Sequence, residues 1–333
     1  MRVLFLILDA FDPMRLSPRL TPNLWRWANA DGAATGPGRS VMASSTYPNH
    51  ASFVTGTAPS SHGIHANHVI RNGEVLGAWE VGPLTPTLFD RFGGEAVAIL
   101  GDHHLVGVMG ATAAASHWPR DGLLPSDIAL DPLGYPADEA VLPLLVAAIG
   151  SSARFVVGYF GSIDTYSHIH GPISAEAEEA YRQVDDRIAQ LEEPIDWEDT
   201  VIIVVSDHIQ DTAADRPGID LRSVVGDNAI VIDEGSAALL GPLPDPAVLD
   251  GVDAVEGWAQ LEDGNVLAWC ERTRYFGAFE SPPLKGVHGG AHTRTQLALV
   301  SGGHAARHRL TTMVNGGPVA AETWAGAIGS MLS

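Results

Sequence analysis

Two carboxylate–imidazole pairs are the first groups in this chain with the makings of a reactive centre. Asp164 and His168 lie four residues apart in Asp-Thr-Tyr-Ser-His. That spacing brings both side chains to one face of a helical turn and offers two ligands to one cation. Asp207 and His208 are adjacent and directly follow the apolar run 201–205. Adjacent side chains on an extended strand point apart, but a turn at the strand end can aim both at one region. Asp9 closes the apolar run 3–8, and His288 stands in Val-His-Gly-Gly before the last such run. Taken singly, each of these reads more readily as an acid or a histidine on a polar loop.

Residues 44–67, SSTYPNHASFVTGTAPSSHGIHAN, add hydroxyl groups. Ser45 or Thr46 stands just ahead of the helix suggested by residues 49–55, where backbone N–H groups and the helix dipole would face an incoming anion. A neutral hydroxyl is a weak nucleophile and needs a base or a metal to activate it. The chain has no Gly-x-Ser-x-Gly elbow and no evident Ser-His-Asp order, so the Asp/His sets are the source of that activation.

The elements that must position these groups follow from the apolar pattern. Runs at 3–8, 96–100, 155–160, 201–205, 229–232 and 297–300 read as buried strands. Between them lie helical stretches. One opens at Thr21-Pro22 and stops by Gly32; another spans 173–191 with Ser174 and early acids at its start. Strands alternating with helices predict an α/β fold: a mostly parallel central sheet with helices on both faces. In such sheets reactive groups gather at the carboxyl ends of strands, where Asp9, Asp164 and Asp207-His208 are expected. Segments 101–143 and 210–283 carry Gly and Pro breaks and read as cap or insert segments of a single catalytic domain spanning 1–333. The second holds an expected strand pair around 265–271 and 275–279.

With 333 residues, 45% hydrophobic and 18% charged, the chain is long and apolar enough to bury a sizeable core. A net charge of −21 argues against a nucleic-acid polymer as partner but leaves room for a small anion held through metals. Cys270 is the single cysteine, so neither disulfides nor thiolate clusters contribute. The opening run MRVLFLILDAF is too short for a leader, and no other stretch approaches a membrane span, so no membrane association and a cytoplasmic location are expected.

The segment Thr46-Tyr-Pro-Asn49, Thr55-Gly56, Pro59-Ser-Ser-His62-Gly-Ile64 and Asn67 resembles the alkaline phosphatase superfamily. It is most similar to the nucleotide pyrophosphatase/phosphodiesterase branch, with its T-[FY]-P-N, T-G, P-x-x-H-G-I and Asn. The order Asp9, Thr46, Asp164/His168, Asp207/His208, His288 agrees, and Thr21-Pro-Asn-Leu24 resembles an early helix of the same superfamily. The resemblance implies an alkaline phosphatase-like fold and a two-metal hydrolase of phosphate diesters or nucleotide pyrophosphates. Asp164, His168 and His288 would hold one ion. Asp9, Asp207, His208 and the Thr46 oxygen would hold the other. Both ions would be zinc, with manganese the alternative. Thr46 would form a phospho-threonine intermediate, and Asn67 would donate to a phosphoryl oxygen.

Departures from the family pattern are Ala10, Ser167 and Ile209, each where Gly is common. His292 competes with His288 for its ligand role. His170, with His288-Gly-Gly, also resembles phosphonoacetate hydrolase, which makes a C–P bond hydrolase the second implied activity, beside a phosphomonoesterase. Arg71 is the nearest cation to Asn67 and a candidate to bind a substrate carboxylate. Tyr166, Trp79 and Trp118 are candidates to stack on a base; His65, His68, His103 and His104 are candidates to line a pocket, and His50 and His62 to support the nucleophile segment.

Overall fold

The computed structural model describes residues 1–226, 228–277 and 284–333. Its largest sheet among these has eight strands, in the order Val319–Ala320, Ala34–Arg39, Thr295–Gly302, Thr200–Val205, Arg2–Leu8, Phe155–Phe160, Ala96–Ile99 and Ser116–Trp118. Neighbours run parallel except around Thr295–Gly302, which is antiparallel to both of its partners. The fold is thus the expected α/β one with a mostly parallel central sheet.

Alternation along the first strand explains why both faces are covered. Val3, Phe5 and Ile7 enter one core with Phe53, Val54 and Trp324. Leu4, Leu6 and Leu8 enter the other with Val184, Ile188 and Leu191. A strand with large apolar residues at both parities can only be buried on both sides. Phe5 meets Phe53 edge-on, with ring centroids 5.7 Å apart. Leu8 pairs with Phe160 and Ile7 with Val205, so the three central strands end level. Asp9, Gly161 and Ser206 therefore begin three loops on one rim.

Two helices sharpen the sequence reading. Ala175–Leu191 starts where expected, with Ser174 Oγ accepting from Ala177 N at 3.0 Å. Pro22–Ala28 stops short of Gly32, and Thr21 does not cap it through its side chain. Its first N–H groups go instead to Asp185 of the neighbouring helix, Asn23 N at 3.0 Å and Leu24 N at 2.8 Å. A cap supplied from another element leaves no local signal.

Two expectations need correction. The run 229–232 is not a strand of the main sheet. The strand there is Val231–Glu234, in a four-stranded antiparallel sheet with Ala237–Leu240, Val266–Cys270 and Val255–Gln260. The expected pairing of 265–271 with 275–279 also fails within the described residues. Val266–Cys270 pairs with Ala237–Leu240 and Val255–Gln260, while Phe276 makes only an isolated bridge to Ile219. After the turn at Glu271–Arg274 the chain crosses to Gly235, to whose carbonyl Phe276 N donates at 2.9 Å. Residues 278–279, and the end of segment 210–283, lie outside the described residues. Segment 101–143 holds the helix Leu105–Val108, the edge strand Ser116–Trp118 and the start of the helix Asp138–Gly150. Among the described residues no helix is long and apolar enough to cross a membrane.

Candidate active site

Three strand ends and one helix start converge at the rim. Asp9 follows the first strand, is buried, and is held by the hydroxyl of Tyr159 on its Oδ2. Asp207 Oδ1 accepts from Ala10 N at 3.1 Å and His208 N at 3.0 Å. Ala10 reaches that position with φ +54°, the left-handed region that a side chain disfavours. The remaining oxygens, Asp9 Oδ1 and Asp207 Oδ2, are buried without a hydrogen-bond partner. Both face His208 Nε2, at 3.5 and 3.4 Å. Thr46 Oγ1 lies 3.3 Å from the same nitrogen.

These separations have a chemical meaning. Donors bound at 2.0–2.1 Å around a tetrahedral ion are separated by about 3.3–3.4 Å. Asp9, Asp207 and Thr46 each stand near that spacing from His208 Nε2, and the two orphaned carboxylate oxygens face it. A second set lies beside it. His168 Nε2 is 3.3 Å from Asp164 Oδ2 and 3.1 Å from His288 Nε2, and His288 Nε2 is 4.0 Å from Asp164 Oδ1. His168 Nδ1 donates to the Gly286 carbonyl at 2.9 Å, and His288 Nδ1 to the Ser44 carbonyl at 3.2 Å. A carbonyl only accepts, so in its neutral form each ring turns an Nε2 lone pair to the site, as metal-ligating histidines do. The His208 and His288 rings stack at 3.9 Å and join the two sets. Both sets fit a divalent ion.

The electrostatics agree. Burial, then the neighbouring Asp207 and Asp164, push the Asp9 carboxyl well above its usual range. Asp207 is raised chiefly by burial. Burial also opposes the Asp164 charge, but His168, His288 and His208 hold it below the usual range. Burial holds His208 down to about 4 and His288 to about 3, so both are neutral imidazoles, the ligand form. Two buried carboxylates, Asp9 and Asp207, crowded against each other and against Asp164, are what a bound ion relieves.

The segment that carries Thr46 is braced from behind. Thr46 opens the helix Thr46–Thr55, which ends at Gly56 with φ +72°, a cap that needs glycine. Asn49 accepts from Val41 N and donates to Ser40 Oγ and Ser45 O, fixing the turn before Thr46. His50 Nδ1 donates to Thr46 O at 2.7 Å, and His62 Nε2 lies 3.0 Å from Ser52 Oγ. Asn67 Oδ1 accepts from Tyr47 N at 3.3 Å, which leaves its amide NH₂ for the cleft that it lines.

The cleft, a cavity of about 140 Å³, is walled by Tyr47, Asp102, Asp131 and Tyr135 above the candidate ligands. Arg71 is not in it. It lines a separate cavity of about 570 Å³ with Glu262 and Asp263. Tyr166 is not in it either. Two residues beyond Asp164, it lies on the far side of the helix Ser162–His170, stacked with His170 at 6.0 Å and packed against the second core. Trp79 stacks on His104 at 3.9 Å, behind Tyr47 rather than in the cleft. His292 pairs with Glu256 at 3.2 Å, away from the ligands that His288 meets. Sequence reasoning missed Tyr159 and Gln210. Gln210 Nε2 donates to the Asp164 carboxylate at 2.5 Å and to its carbonyl at 3.1 Å. Its place two residues after His208 was the only signal.

Known proteins carry the same arrangement of chain. The family described as type I phosphodiesterase / nucleotide pyrophosphatase matches residues 3–257. Ectonucleotide pyrophosphatase/phosphodiesterase family member 1 of Rattus norvegicus is 27% identical over 226 residues, covering 62% of this chain and 24% of that protein; the Mus musculus counterpart is 26% identical over the same length. The chain thus spans about a quarter of the length of these curated relatives. Among solved structures, phosphonoacetate hydrolase from Sinorhizobium meliloti 1021 superposes with TM-score 0.70 at 20% identity, covering 90% of this chain and 89% of that one. Murine ectonucleotide pyrophosphatase/phosphodiesterase 5, solved as an inactive variant in complex with AMP, superposes with TM-score 0.74 at 16% identity, covering 99% and 94%. At such identities the superpositions speak for the fold, and the match over residues 3–257 speaks for the lineage. The chain belongs to the type I phosphodiesterase / nucleotide pyrophosphatase family.

Proposed function

We propose that this protein is a metal-dependent hydrolase of small phosphate diesters or nucleotide pyrophosphates, with Thr46 as nucleophile. The observation that carries the reading is the convergence of Thr46 Oγ1, Asp9 Oδ1 and Asp207 Oδ2 on His208 Nε2 within 3.3–3.5 Å, at the start of a ten-residue helix. Asp9, Asp207 and His208 would hold one ion beside Thr46; Asp164, His168 and His288 would hold the second. The mixed imidazole and carboxylate donors suit zinc, and manganese less well. Such ions, when bound, lower the pKa of a coordinated hydroxyl and neutralise phosphoryl oxygens.

The chain's own groups do the rest. The Thr46 N–H at the start of Thr46–Thr55 and the Asn67 amide bind the phosphoryl oxygens and orient phosphorus toward Thr46 Oγ1. Thr46 Oγ then displaces the leaving group in line, giving a phosphorylated threonine. Water enters from the cleft and releases the second product with Thr46 restored. Tyr47 and Tyr135 offer aromatic surface to a base or aryl ester. The AMP held by the murine relative supports a nucleotide as one such substrate.

One feature of the cleft favours diesters over the phosphonoacetate and monoester alternatives. Its described lining contains Asp102 and Asp131 but no Lys or Arg, and Arg71 faces another cavity. An additional substrate carboxylate or phosphate charge has no side-chain partner there. Zinc-loaded protein is therefore expected to hydrolyse bis-p-nitrophenyl phosphate with kcat/KM about tenfold or more above p-nitrophenyl phosphate, the scale of one extra charge near acidic groups. Phosphonoacetate as the best of the three substrates, or no diesterase activity at any metal loading, would sink this reading.

A further inference from the structure

Asp102, His103 and His104 stand apart from both donor sets of the active site, just past the strand Ala96–Ile99. Asp102 is buried, and its Oδ1 accepts from His104 N at 2.8 Å, which folds the three side chains toward one side of the turn. One donor atom from each residue can be chosen so that all lie within 4.8 Å of one another. Asp102 Oδ1 is 3.8 Å from His104 Nδ1, and the two imidazole rings are centred 4.0 Å apart. His103 Nδ1 is buried and has no hydrogen-bond partner. An orphaned buried ring nitrogen is destabilising, and a partner of the right kind would relieve it.

A proton donor is one such partner, but the groups already in place favour a cation. The turn gathers a carboxylate and two imidazoles, and the buried Tyr47 hydroxyl is hydrogen-bonded to His104 Nδ1 at 2.9 Å. We propose that Asp102, His103 and His104 form a third divalent-metal site, of the zinc type, in the wall of the cleft, with the Tyr47 hydroxyl beside the fourth position. Zinc bound by nitrogen and oxygen at 2.0–2.1 Å needs donors about 3.3–3.4 Å apart, so small side-chain rotations bring the present 3.8 Å into range. None of the three side chains is shared with the two sets around Thr46. Because Asp102 also lines the cleft, an ion here would place positive charge on a wall whose described lining has no Lys or Arg. That charge would serve a substrate bearing a second phosphate beyond the one attacked.

The test is zinc content. Wild type, His103→Ala, His103→Gln and a surface control, His308→Ala, are equilibrated with Zn²⁺, desalted and measured by plasma mass spectrometry, with thermal melts to establish folding. Each folded His103 variant is expected to retain one zinc per chain fewer than wild type, and the His308 control the wild-type amount. This difference is read whether or not the sites around Thr46 are filled, so it succeeds or fails separately from the hydrolase reading. A folded His103 variant that keeps the full wild-type zinc content would overturn the proposal.

Discussion

The floor and the wall of the cleft are built on different principles. The floor groups Asp9, Thr46, Asp207 and His208 are at most 7% exposed, and each is fixed by the end of a regular element. The wall comes from the irregular stretch that holds Asp102, Asp131 and Tyr135. Its shape rests on a few side-chain bonds: Asp131 Oδ1 accepts from Leu133 N and Tyr135 N at 2.9 Å each, and Thr165 Oγ1 donates to Asp131 Oδ2 at 2.5 Å. Sheet register sets the floor and cannot drift without breaking the core. The wall can change residue by residue while the floor stays intact. Chemistry should therefore reside in the first region and substrate choice in the second.

Substitutions can break or sharpen that division. Thr46→Ala is expected to lower kcat by about 10³-fold or more, since Thr46 carries the hydroxyl that stands 3.3 Å from His208 Nε2 beside Asp9 and Asp207; steady-state kinetics on a diester would show it. Gln210→Ala removes the amide that orients Asp164, so metal affinity or activity should fall by about 10- to 100-fold, measured by zinc titration beside turnover. A loss confined to KM would place Gln210 with the wall instead.

His62 tests the brace behind the floor through pH. Burial holds its imidazole down to about 3, against 6.5 for a free one. The unfolded chain therefore takes up the proton first as pH falls below about 6.5, so the His62 contribution to stability is complete above that value and declines toward about 3. Comparing urea unfolding of wild type and His62→Gln, the difference in stability should shrink by about 2 kcal/mol between pH 7 and pH 5. An unchanged difference would mean that His62 is not held neutral. On the wall, Asp131→Ala should raise KM about tenfold with kcat nearly kept, the mark of lost positioning rather than lost chemistry. The smallest effect concerns Ala10. Replacing it with Gly should stabilise the fold by about 1 kcal/mol in thermal unfolding, by relieving the φ +54° backbone.

The same division explains what the sequence disclosed. Asp9 and Asp207-His208 could be placed because buried runs of strand type end on them, and strand ends share a rim in a parallel sheet. Asp164 and His168 followed from helical spacing. Tyr166 was nominated to stack on a base, but two residues from Asp164 it falls on the opposite side of the helix and outside the cleft. Arg71 was nominated by nearness in sequence to Asn67, but it ends the strand His68–Arg71 and its side chain lines the other cavity. Tyr159 and Gln210 act on Asp9 and Asp164 from other segments, which no local pattern records. The run 229–232 had the composition of a main-sheet strand, yet the sheet that a strand joins depends on partners such as Ala237–Leu240.

The most direct test of the central claim is the stereochemical course at phosphorus, using a chiral phosphorothioate diester hydrolysed by zinc-loaded protein in isotopically labelled water. Attack by Thr46 Oγ followed by hydrolysis is two in-line displacements, so the account predicts overall retention of configuration. Inversion would mean that water attacks phosphorus directly, and would contradict Thr46 as the nucleophile.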